Sequence, residues 1–332
     1  MSEATILVGD VRQRLSDIVD GSVQCCVTSP PYWGLRDYGN GGQIGLEQTP
    51  DGYVAELVAV FREVRRVLRD DGVLWLNLGD SYASSGKGPA GNLGATHNER
   101  HMEHKHSAIV PEGLKPKDLV GIPWRVAFAL QSDGWYLRQD IIWAKPNPMP
   151  ESVKDRCTKS HEYLFLLTKS NRYYFDDLAI AEPATTKPGA TWAERKAAGA
   201  TAGNVIVGHE TRNGTQRVVH GKGVTSNLTR QDGLRNKRSV WTINTKPFRG
   251  AHFAVMPEAL VEPCVLASTR PNDLVLDPFT GSGTVAVVAL KHGRNFIGTE
   301  LNPEYAEIAK NRIESSQPMF NEVNVDFHTP LV

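Results

Sequence analysis

The stretch 274–300 constrains the fold of this chain more than any other part of its sequence. An apolar run leads into Asp277 and a glycine-rich turn, 278–284, after which the spacing of apolar residues predicts a helix over 285–292. A second apolar run then ends at Glu300. Strand, glycine-rich turn, helix, strand and terminal acid form half of a nucleotide-binding Rossmann unit. The stretch therefore predicts an α/β fold with a ligand at the carboxyl ends of the strands.

Two carboxylates in this unit indicate which nucleotide it suits. The full G-x-G-x-x-G pattern of dinucleotide sites is missing, and Asp277 precedes the glycines, where it would repel a pyrophosphate but attract a cation. Glu300 stands where a carboxylate accepts hydrogen bonds from ribose hydroxyls. S-adenosylmethionine carries a sulfonium, an ammonium and a ribose. We therefore predict S-adenosylmethionine as the cofactor.

A second motif, Thr28-Ser29-Pro30-Pro31-Tyr32-Trp33, follows the apolar run 23–27. Its prolines fix φ at about −65° and remove two N–H donors, which gives a stiff strand end with free acceptors. The Ser29 hydroxyl and the Pro30 carbonyl can both accept hydrogen bonds from one NH₂ group, and Tyr32 can stack on the attached ring. The motif predicts a site for a planar amine. A proline-rich turn around a buried tyrosine is the simpler alternative.

The remaining sequence alternates between strand and helix patterns, which predicts a βαβ arrangement. Further strands are predicted over 5–8, 23–28, 73–78, 140–143 and 162–168. Further helices are predicted over 11–19, 53–68, 123–131, 257–268 and 303–313. Within the fourth of these helices we expect Pro263 to cause a kink or an early end and Cys264 to lie in the core. Asp80 and Lys145 follow strands and are expected at the same cleft.

Composition excludes several classes of protein. There is no apolar run of about 18 residues, so no membrane span is expected. The N-terminal residues lack a signal-type apolar stretch, which predicts a cytoplasmic protein. The four cysteines form neither a disulfide framework nor a metal pattern. A polar stretch, 84–116, is predicted to be a mobile loop. It contains His97, His101, His104 and His106, but no cysteine or paired carboxylate completes a zinc site, and no metal is predicted.

Charge is distributed unevenly, although the chain as a whole has a net charge of zero. Residues 183–250 contain twelve Lys or Arg and three Asp or Glu, a balance of +9 that leaves −9 for the rest. A basic segment in an otherwise acidic protein indicates a polyanionic partner, with nucleic acid first. We predict an insert over 183–250 that contacts DNA through Arg235, Lys237 and Arg238. A solvated charged face is the alternative.

The two motifs, in this order and with a basic insert between them, resemble those of amino-group DNA methyltransferases of the permuted β class. The resemblance implies a circularly permuted, Rossmann-like methyltransferase sheet. Its catalytic half would span 1–182, its target-recognition insert 183–250, and its cofactor half 251–332. It also implies a catalytic role for Ser29, Pro30, Pro31 and Tyr32. Cofactor contacts are implied for Asp10, Asp277, Phe279, Thr280, Gly281, Ser282, Gly283, Thr284, Glu300 and Asn302.

Within that class, Ser29 favours N4 of a flipped cytosine in duplex DNA as the methyl acceptor, because T-S-P-P-Y is typical of the cytosine-N4 members. Adenine N6 is the alternative, since both acceptors are exocyclic amines. A catalytically silent DNA-binding regulator is a more remote alternative. Within enzymes, a methyltransferase that acts on RNA or protein glutamine is the next competitor. A second copy of the chain and a cognate restriction endonuclease are partners that the class allows.

Overall fold

The computed structural model describes residues 2–35, 41–83, 110, 112–184, 233–245, 255–316 and 321–327. The four histidines of the predicted loop, and most of the loop itself, lie outside these residues. The chain divides into one unit formed by Met1–Asp176 with Ser239–Val332 and a second unit, Asp177–Arg238. Among the described residues, no helix has the length and apolar character needed to cross a membrane.

The first unit is built on a nine-stranded sheet. Its strands are β1 Ser2–Val8, β2 Val23–Thr28, β3 Leu68–Leu78, β4 Tyr136–Ala144, β5 His161–Thr168, β8 Val240–Thr242, β9 Leu274–Asp277, β10 Asn295–Glu300 and β11 Asn321–Phe327. They lie in the order β11-β1-β10-β9-β2-β3-β5-β4-β8. All neighbours pair in parallel except those of β5, which runs antiparallel to β3 and β4. The predicted Rossmann-like α/β fold is confirmed.

Six α-helices accompany this sheet within the described residues. They are α1 Val11–Arg14, α2 Pro50–Val67, α3 Ile122–Ser132, α4 Glu258–Ser268, α5 Thr284–Lys291 and α6 Pro303–Ser316. Every residue of β2 is buried, as expected for a central parallel strand that is covered on both faces. On α2 the apolar positions Leu57, Phe61 and Val64 are fully buried, which anchors the helix against the sheet.

Several local elements differ from the sequence predictions. The helix predicted over 11–19 is a single α-turn followed by the 3₁₀ turn Leu15–Asp17. β3 begins at Leu68 instead of at residue 73, and Gly72 lies inside it, where a Cβ would stand 2.9 Å from the Arg69 carbonyl. The helix α4 runs through Pro263 to Ser268, so the proline does not shorten it, and Cys264 is buried as predicted.

The second unit of the structure differs from the predicted insert, 183–250, most clearly at its carboxyl end. Residues 240–242 form β8, which pairs in parallel with β4 at the edge of the main sheet and buries Trp241. This strand is three residues long, too short to show a periodic pattern. The second unit accordingly ends at Arg238.

The second unit contains a short antiparallel pair, β6 Glu182–Pro183 with β7 Leu234–Arg235. The three basic residues predicted to contact DNA gather around one carboxylate of this pair. Glu182 lies 3.6 Å from Arg235, 3.4 Å from Lys237 and 3.7 Å from Arg238. The side chains of Arg235 and Lys237 are mostly buried, whereas that of Arg238 is 69% exposed. Glu182 is thus an ion-pair partner that all three cations share.

Candidate active site

A cavity of about 270 Å³ lies at the carboxyl ends of the parallel strands. It brings together the two motifs of the sequence, which are separated by about 250 residues of chain. The predicted site residues that line it are Asp10, Ser29, Pro30, Pro31, Tyr32, Asp277, Phe279, Thr280, Gly281, Ser282, Thr284, Glu300 and Asn302. The remaining predicted residue, Gly283, stands at the N-terminus of α5 with φ = 75°, a conformation that favours glycine.

Asp277 ends β9 and is buried at the floor of this cavity. Its Oδ1 accepts hydrogen bonds from the Thr28 hydroxyl at 2.7 Å and from the Phe279 N–H at 3.0 Å. The side chain is 2% exposed, and burial raises its pKa to about 7 despite these two hydrogen bonds. Because Thr28 ends β2 and Asp277 ends the neighbouring β9, their hydrogen bond links the two motifs directly.

Glu300 ends β10 and supplies a second carboxylate. It accepts hydrogen bonds from the N–H groups of Gly281, at 2.8 Å, and Asn302, at 2.9 Å. Burial raises the pKa of Glu300 as well. The Asn302 side chain accepts from the Glu304 N–H at 2.8 Å, at the start of α6. Glu300 thus holds the glycine-rich turn, 278–284, in place through the Gly281 N–H.

Asp10 follows β1, the strand that pairs with β10, and caps α1 by accepting from the Arg12 N–H at 2.9 Å. The Arg12 guanidinium also bonds this carboxylate, the Gly42 carbonyl at 2.9 Å and Glu56 at 3.0 Å. Burial acts to raise the pKa of Asp10, but the hydrogen bonds from Arg12 outweigh it and lower the pKa. Asp10 is therefore ionised and acts only as an acceptor at neutral pH.

The arrangement at this end of the cavity fits S-adenosylmethionine. Asp277 and Glu300 are buried carboxylates, whose charge favours a cationic ligand and ligand hydroxyls that donate. Phe279 and Ile308 add apolar walls. A pyrophosphate would meet the same two carboxylates as repulsive charges, so this donor set disfavours a dinucleotide. Among the described residues, no group of three or more His, Cys, Asp or Glu side chains is arranged to hold a metal ion.

The other end of the cavity contains a hydrogen-bonded network around the Ser-Pro-Pro-Tyr motif. Ser29 Oγ lies 3.3 Å from Tyr32 Oη, which lies 2.7 Å from Glu162 Oε2. Asn77 Nδ2 donates to both Tyr32 Oη, at 3.1 Å, and Glu162 Oε2, at 2.8 Å. Lys145 forms an ion pair with the other oxygen of Glu162. The Tyr53 hydroxyl of α2 donates to the Pro31 carbonyl at 2.8 Å and so holds the motif in place.

Asn77 and Glu162 both line the cavity, although the sequence alone did not predict them there. Lys145 and Asp80 were both expected at the cleft, and of these two Lys145 lines it. Asp80 instead accepts hydrogen bonds from the N–H groups of Gly121, at 2.9 Å, and Ile122, at 3.0 Å, at the start of α3. A carboxylate that caps a helix in this way is satisfied locally.

The ring of Tyr32 packs directly against Gly79, just after β3. A Cβ on Gly79 would stand 2.5 Å from Tyr32 Cε2, so Gly79→Ala must displace the ring. We expect this variant to lose about 10²-fold in methyl-transfer rate, since a displacement of about 1 Å has an effect of that size. Its affinity for S-adenosylmethionine, measured by calorimetry, should not change. A wild-type rate would contradict a role for the position of the ring.

Together, the fold and the site define a Rossmann-like methyltransferase. The family described as DNA methylase matches this chain over residues 23–311. The Type II methyltransferase M.Cfr9I of Citrobacter freundii is 49% identical over 95% of this chain and 89% of its own length. M.SmaI of Serratia marcescens is 48% identical over 93% and 90%, respectively. The chain belongs to the DNA methylase family.

Solved structures share the fold at lower identity. The PvuII DNA methyltransferase, a cytosine-N4-specific enzyme, superimposes with a TM-score of 0.60 at 18% identity, over 98% of this chain and 95% of its own. The protein TTHA0409 of Thermus thermophilus, complexed with S-adenosyl-L-methionine, gives a TM-score of 0.59 at 23% identity, over 98% and 100%. At these identities the likeness establishes the fold.

Proposed function

We propose that this chain transfers a methyl group from S-adenosylmethionine to N4 of a cytosine flipped out of duplex DNA. The observation that carries the proposal is the shared cavity, in which the carboxylates Asp277 and Glu300 lie with Ser29 and Tyr32. The first pair suits a cationic nucleoside, and the second suits an amine on a planar ring. The Type II methyltransferases among the relatives support DNA as the substrate.

The residues at the cofactor end bind and orient the methyl donor in this proposal. Asp277 balances positive charge, Glu300 accepts from ribose hydroxyls, and Asp10 and Asn302 contact the adenine. Bound S-adenosylmethionine supplies a methyl group on a sulfonium, a leaving group that is already activated by its positive charge. The cofactor end of the cavity therefore fixes the methyl donor, and the target base has to enter the other end to reach the methyl group.

The residues at the other end prepare the acceptor. A stacked base cannot enter such a cavity, and flipping it costs about a few kcal/mol, of which stacking on Tyr32 returns roughly 1–3 kcal/mol. The lone pair of the amine is delocalised into the base. Ser29 Oγ and the Pro30 carbonyl accept its two N–H bonds, which favours a pyramidal nitrogen whose lone pair is free to attack.

Mass spectrometry of nucleosides decides which amine is methylated. Unmethylated DNA of mixed sequence, amplified by polymerase, is incubated with the protein and S-adenosylmethionine, and then hydrolysed. We expect N4-methylcytosine, because Ser29 replaces the carboxylate that many adenine enzymes have at this position. N6-methyladenine would overturn the choice of cytosine, and the absence of any methylated nucleoside would favour a silent DNA-binding protein.

We also propose that the second unit contacts DNA phosphates, and that Arg238 is a contact residue. Arg238→Gln should weaken binding to all DNA sequences and lower the slope of log K against log salt by about 0.9, the value for one phosphate contact. A matched control is Arg62→Gln, because Arg62 is 65% exposed, pairs with Asp133 and lies near the amino end of β4, away from the cavity. Equal slopes for Arg238→Gln and the wild type would contradict the contact.

The relatives also suggest a biological partner. M.Cfr9I and M.SmaI are Type II methyltransferases, and we propose that this chain likewise protects DNA from a cognate restriction endonuclease. Plasmid DNA isolated from cells that express the chain should resist the endonuclease whose site it methylates. Sensitivity of that plasmid to a full panel of endonucleases with C-containing sites would contradict the proposal.

A further inference from the structure

Glu162 is a carboxylate in the cavity that neither cofactor binding nor the contacts to the amine require. Its side chain is only 15% exposed, and it lies at the start of β5, opposite Trp143 of β4. Because β5 is antiparallel, its first residues reach the same edge of the sheet as the carboxyl ends of β3 and β4. A buried charge at that position is costly unless it is paired. Its partners therefore indicate its role.

The hydrogen bonds of Glu162 have a defined direction. An ionised carboxylate only accepts, so Tyr32 donates its hydroxyl hydrogen to Glu162 Oε2 at 2.7 Å. Burial, and then the charge of Glu162, hold the pKa of Tyr32 well above its usual value, so the hydroxyl stays protonated. Tyr32 Oη then accepts from Asn77 and from the Ser29 hydroxyl. The hydrogen of Ser29 points away from the target amine, and both lone pairs of Ser29 Oγ are left to accept.

We propose that Ser29, Tyr32 and Glu162 form a relay that fixes Ser29 as a hydrogen-bond acceptor and removes the proton that the methylated amine must lose. The inference rests on the proposed function in one respect, that Ser29 contacts the target amine. Glu162 is a positioning residue that acts through Tyr32, and it is the terminal base of the relay. A serine at position 29 has no negative charge, whereas an aspartate there would have one. Glu162 supplies that charge from a distance, through the hydroxyl groups of Tyr32 and Ser29.

The proton balance of the step is complete. The amine nitrogen forms a bond to the methyl carbon as the carbon–sulfur bond breaks, and the electron pair of that bond stays on sulfur. The nitrogen now carries a positive charge and one surplus proton. That proton passes to Ser29 Oγ, the Ser29 hydrogen passes to Tyr32 Oη, and the Tyr32 hydrogen passes to Glu162 Oε2. Glu162 is left neutral and returns the proton to bulk water.

The charged groups around Glu162 suit this role. Lys145 pairs with Oε1 and leaves Oε2 to Tyr32 and Asn77. Lys159 adds a second, more distant positive charge. Tyr32 is the third titratable group that faces it. The two lysines balance the negative charge of Glu162 in this partly buried position, which offsets the cost of burying it.

Two substitutions test the relay. Glu162→Gln keeps the shape and an acceptor for Tyr32 but cannot take a proton, and Tyr32→Phe keeps the ring but removes the link. At saturating S-adenosylmethionine and mixed-sequence DNA, we expect each to lower the single-turnover rate by about 10²-fold, the lower end for general-base catalysis. The affinities for DNA and S-adenosylmethionine should stay within about threefold. The double variant should be no slower than the slower single one, because both break the same relay.

A pH profile separates this role from a purely structural one. Glu162→Gln should change the shape of the wild-type pH profile of the single-turnover rate, because it removes the proposed proton acceptor, whereas a purely structural role would leave that shape unchanged. Glu63→Gln is the control, since Glu63 pairs with Arg66 on α2 outside the cavity, and it should keep the wild-type rate and profile. If Glu162→Gln does not fold, Tyr32→Phe with intact S-adenosylmethionine binding carries the test.

Three results would overturn the relay: a rate for Glu162→Gln within about threefold of the wild type, additive losses in the double variant, or a loss confined to KM. The identity of the methylated base is measured on the same samples. N6-methyladenine made at rates that depend on Glu162 and Tyr32 in the expected way would support the relay while overturning the choice of cytosine. The two proposals can therefore fail separately.

Discussion

Ser29→Ala is expected to abolish most of the methyl transfer to DNA while the protein stays folded and still binds S-adenosylmethionine. The variant removes the acceptor that the proposed function assigns to the target amine, and also the donor to Tyr32 Oη. Removal of one hydrogen-bonding group from a preorganised catalytic site typically costs about 10²–10³-fold in rate, and we expect a loss in that range. Single-turnover transfer of labelled methyl groups measures it, and calorimetry measures the affinity for the cofactor.

Ser22→Ala is the matched control for this loss. Ser22 stands immediately before β2, and Ser29 follows the same strand at its other end. The Ser22 hydroxyl donates only to the Val19 carbonyl at 2.7 Å, far from the cavity. It should keep the wild-type rate. A Ser29→Ala variant that keeps more than a third of the wild-type rate would contradict a catalytic role for Ser29.

The sequence was most informative where one local pattern determines a structure. The predicted bounds of β2 are those observed, because a largely apolar run that is followed closely by two prolines can extend no further. Asp277 and Glu300 were predicted at one cavity because parallel strands end at the same edge of a sheet. The geometry of that edge places Ser29 beside them in the same cavity. The roles assigned to these residues remain predictions.

Glu162 and Asn77 could not be predicted in the same way. Glu162 reaches the cavity only because β5 runs antiparallel, and strand direction depends on pairing between distant segments. The alternation of side chains along β3 aims Asn77 towards the network, but a buried asparagine inside an apolar run has no sequence signature of its own. Asp80 is the opposite case. Its position after a strand predicted a place at the cleft, but its carboxylate accepts hydrogen bonds from backbone N–H groups at the start of α3 instead.

The pKa of a buried carboxyl group was also not predictable from the sequence. Asp277 was predicted as an anion that attracts a cation, and its position after β9 supports that role. Its pKa of about 7 follows from complete burial, which spacing along the chain does not show. This makes Asp277 a titrating group at neutral pH, and it has consequences for both stability and binding.

Asp277→Asn is expected to lose affinity for S-adenosylmethionine and to gain stability when the cofactor is absent. Folding raises the pKa of this carboxyl from 3.8 to about 7, so its contribution to stability is fully present below pH 3.8 and is lost as the pH rises to about 7. Above that pH the buried charge costs about 4 kcal/mol, at 1.36 kcal/mol for each pKa unit. Asparagine removes the charge and keeps an acceptor for Thr28 and Phe279. Thermal unfolding at pH 8 should show a higher Tm for the variant.

Cofactor binding should change in the opposite direction. The ionised carboxylate attracts the cationic ligand, so the wild-type affinity should fall as the pH drops through about 7, where Asp277 becomes protonated. Loss of one partner of a buried charge pair costs about 2–5 kcal/mol, so Asp277→Asn should bind about 100-fold more weakly at pH 8. Its affinity should depend less on pH, and the dependence that remains reports Glu300, whose pKa is also raised by burial.

Asp273→Asn completes the comparison from the other end of β9. Asp273 precedes the strand and accepts from the Arg270 N–H at 2.7 Å, away from the cavity, so this variant should keep the wild-type affinity and its pH dependence. Calorimetric titrations between pH 6 and pH 8 on the three proteins distinguish the outcomes. Unchanged affinity in Asp277→Asn would mean that the positive charge of the cofactor does not lie next to the end of β9. A lower Tm at pH 8 would mean that the buried carboxylate stabilises the fold through Thr28 and Phe279 more than its burial costs.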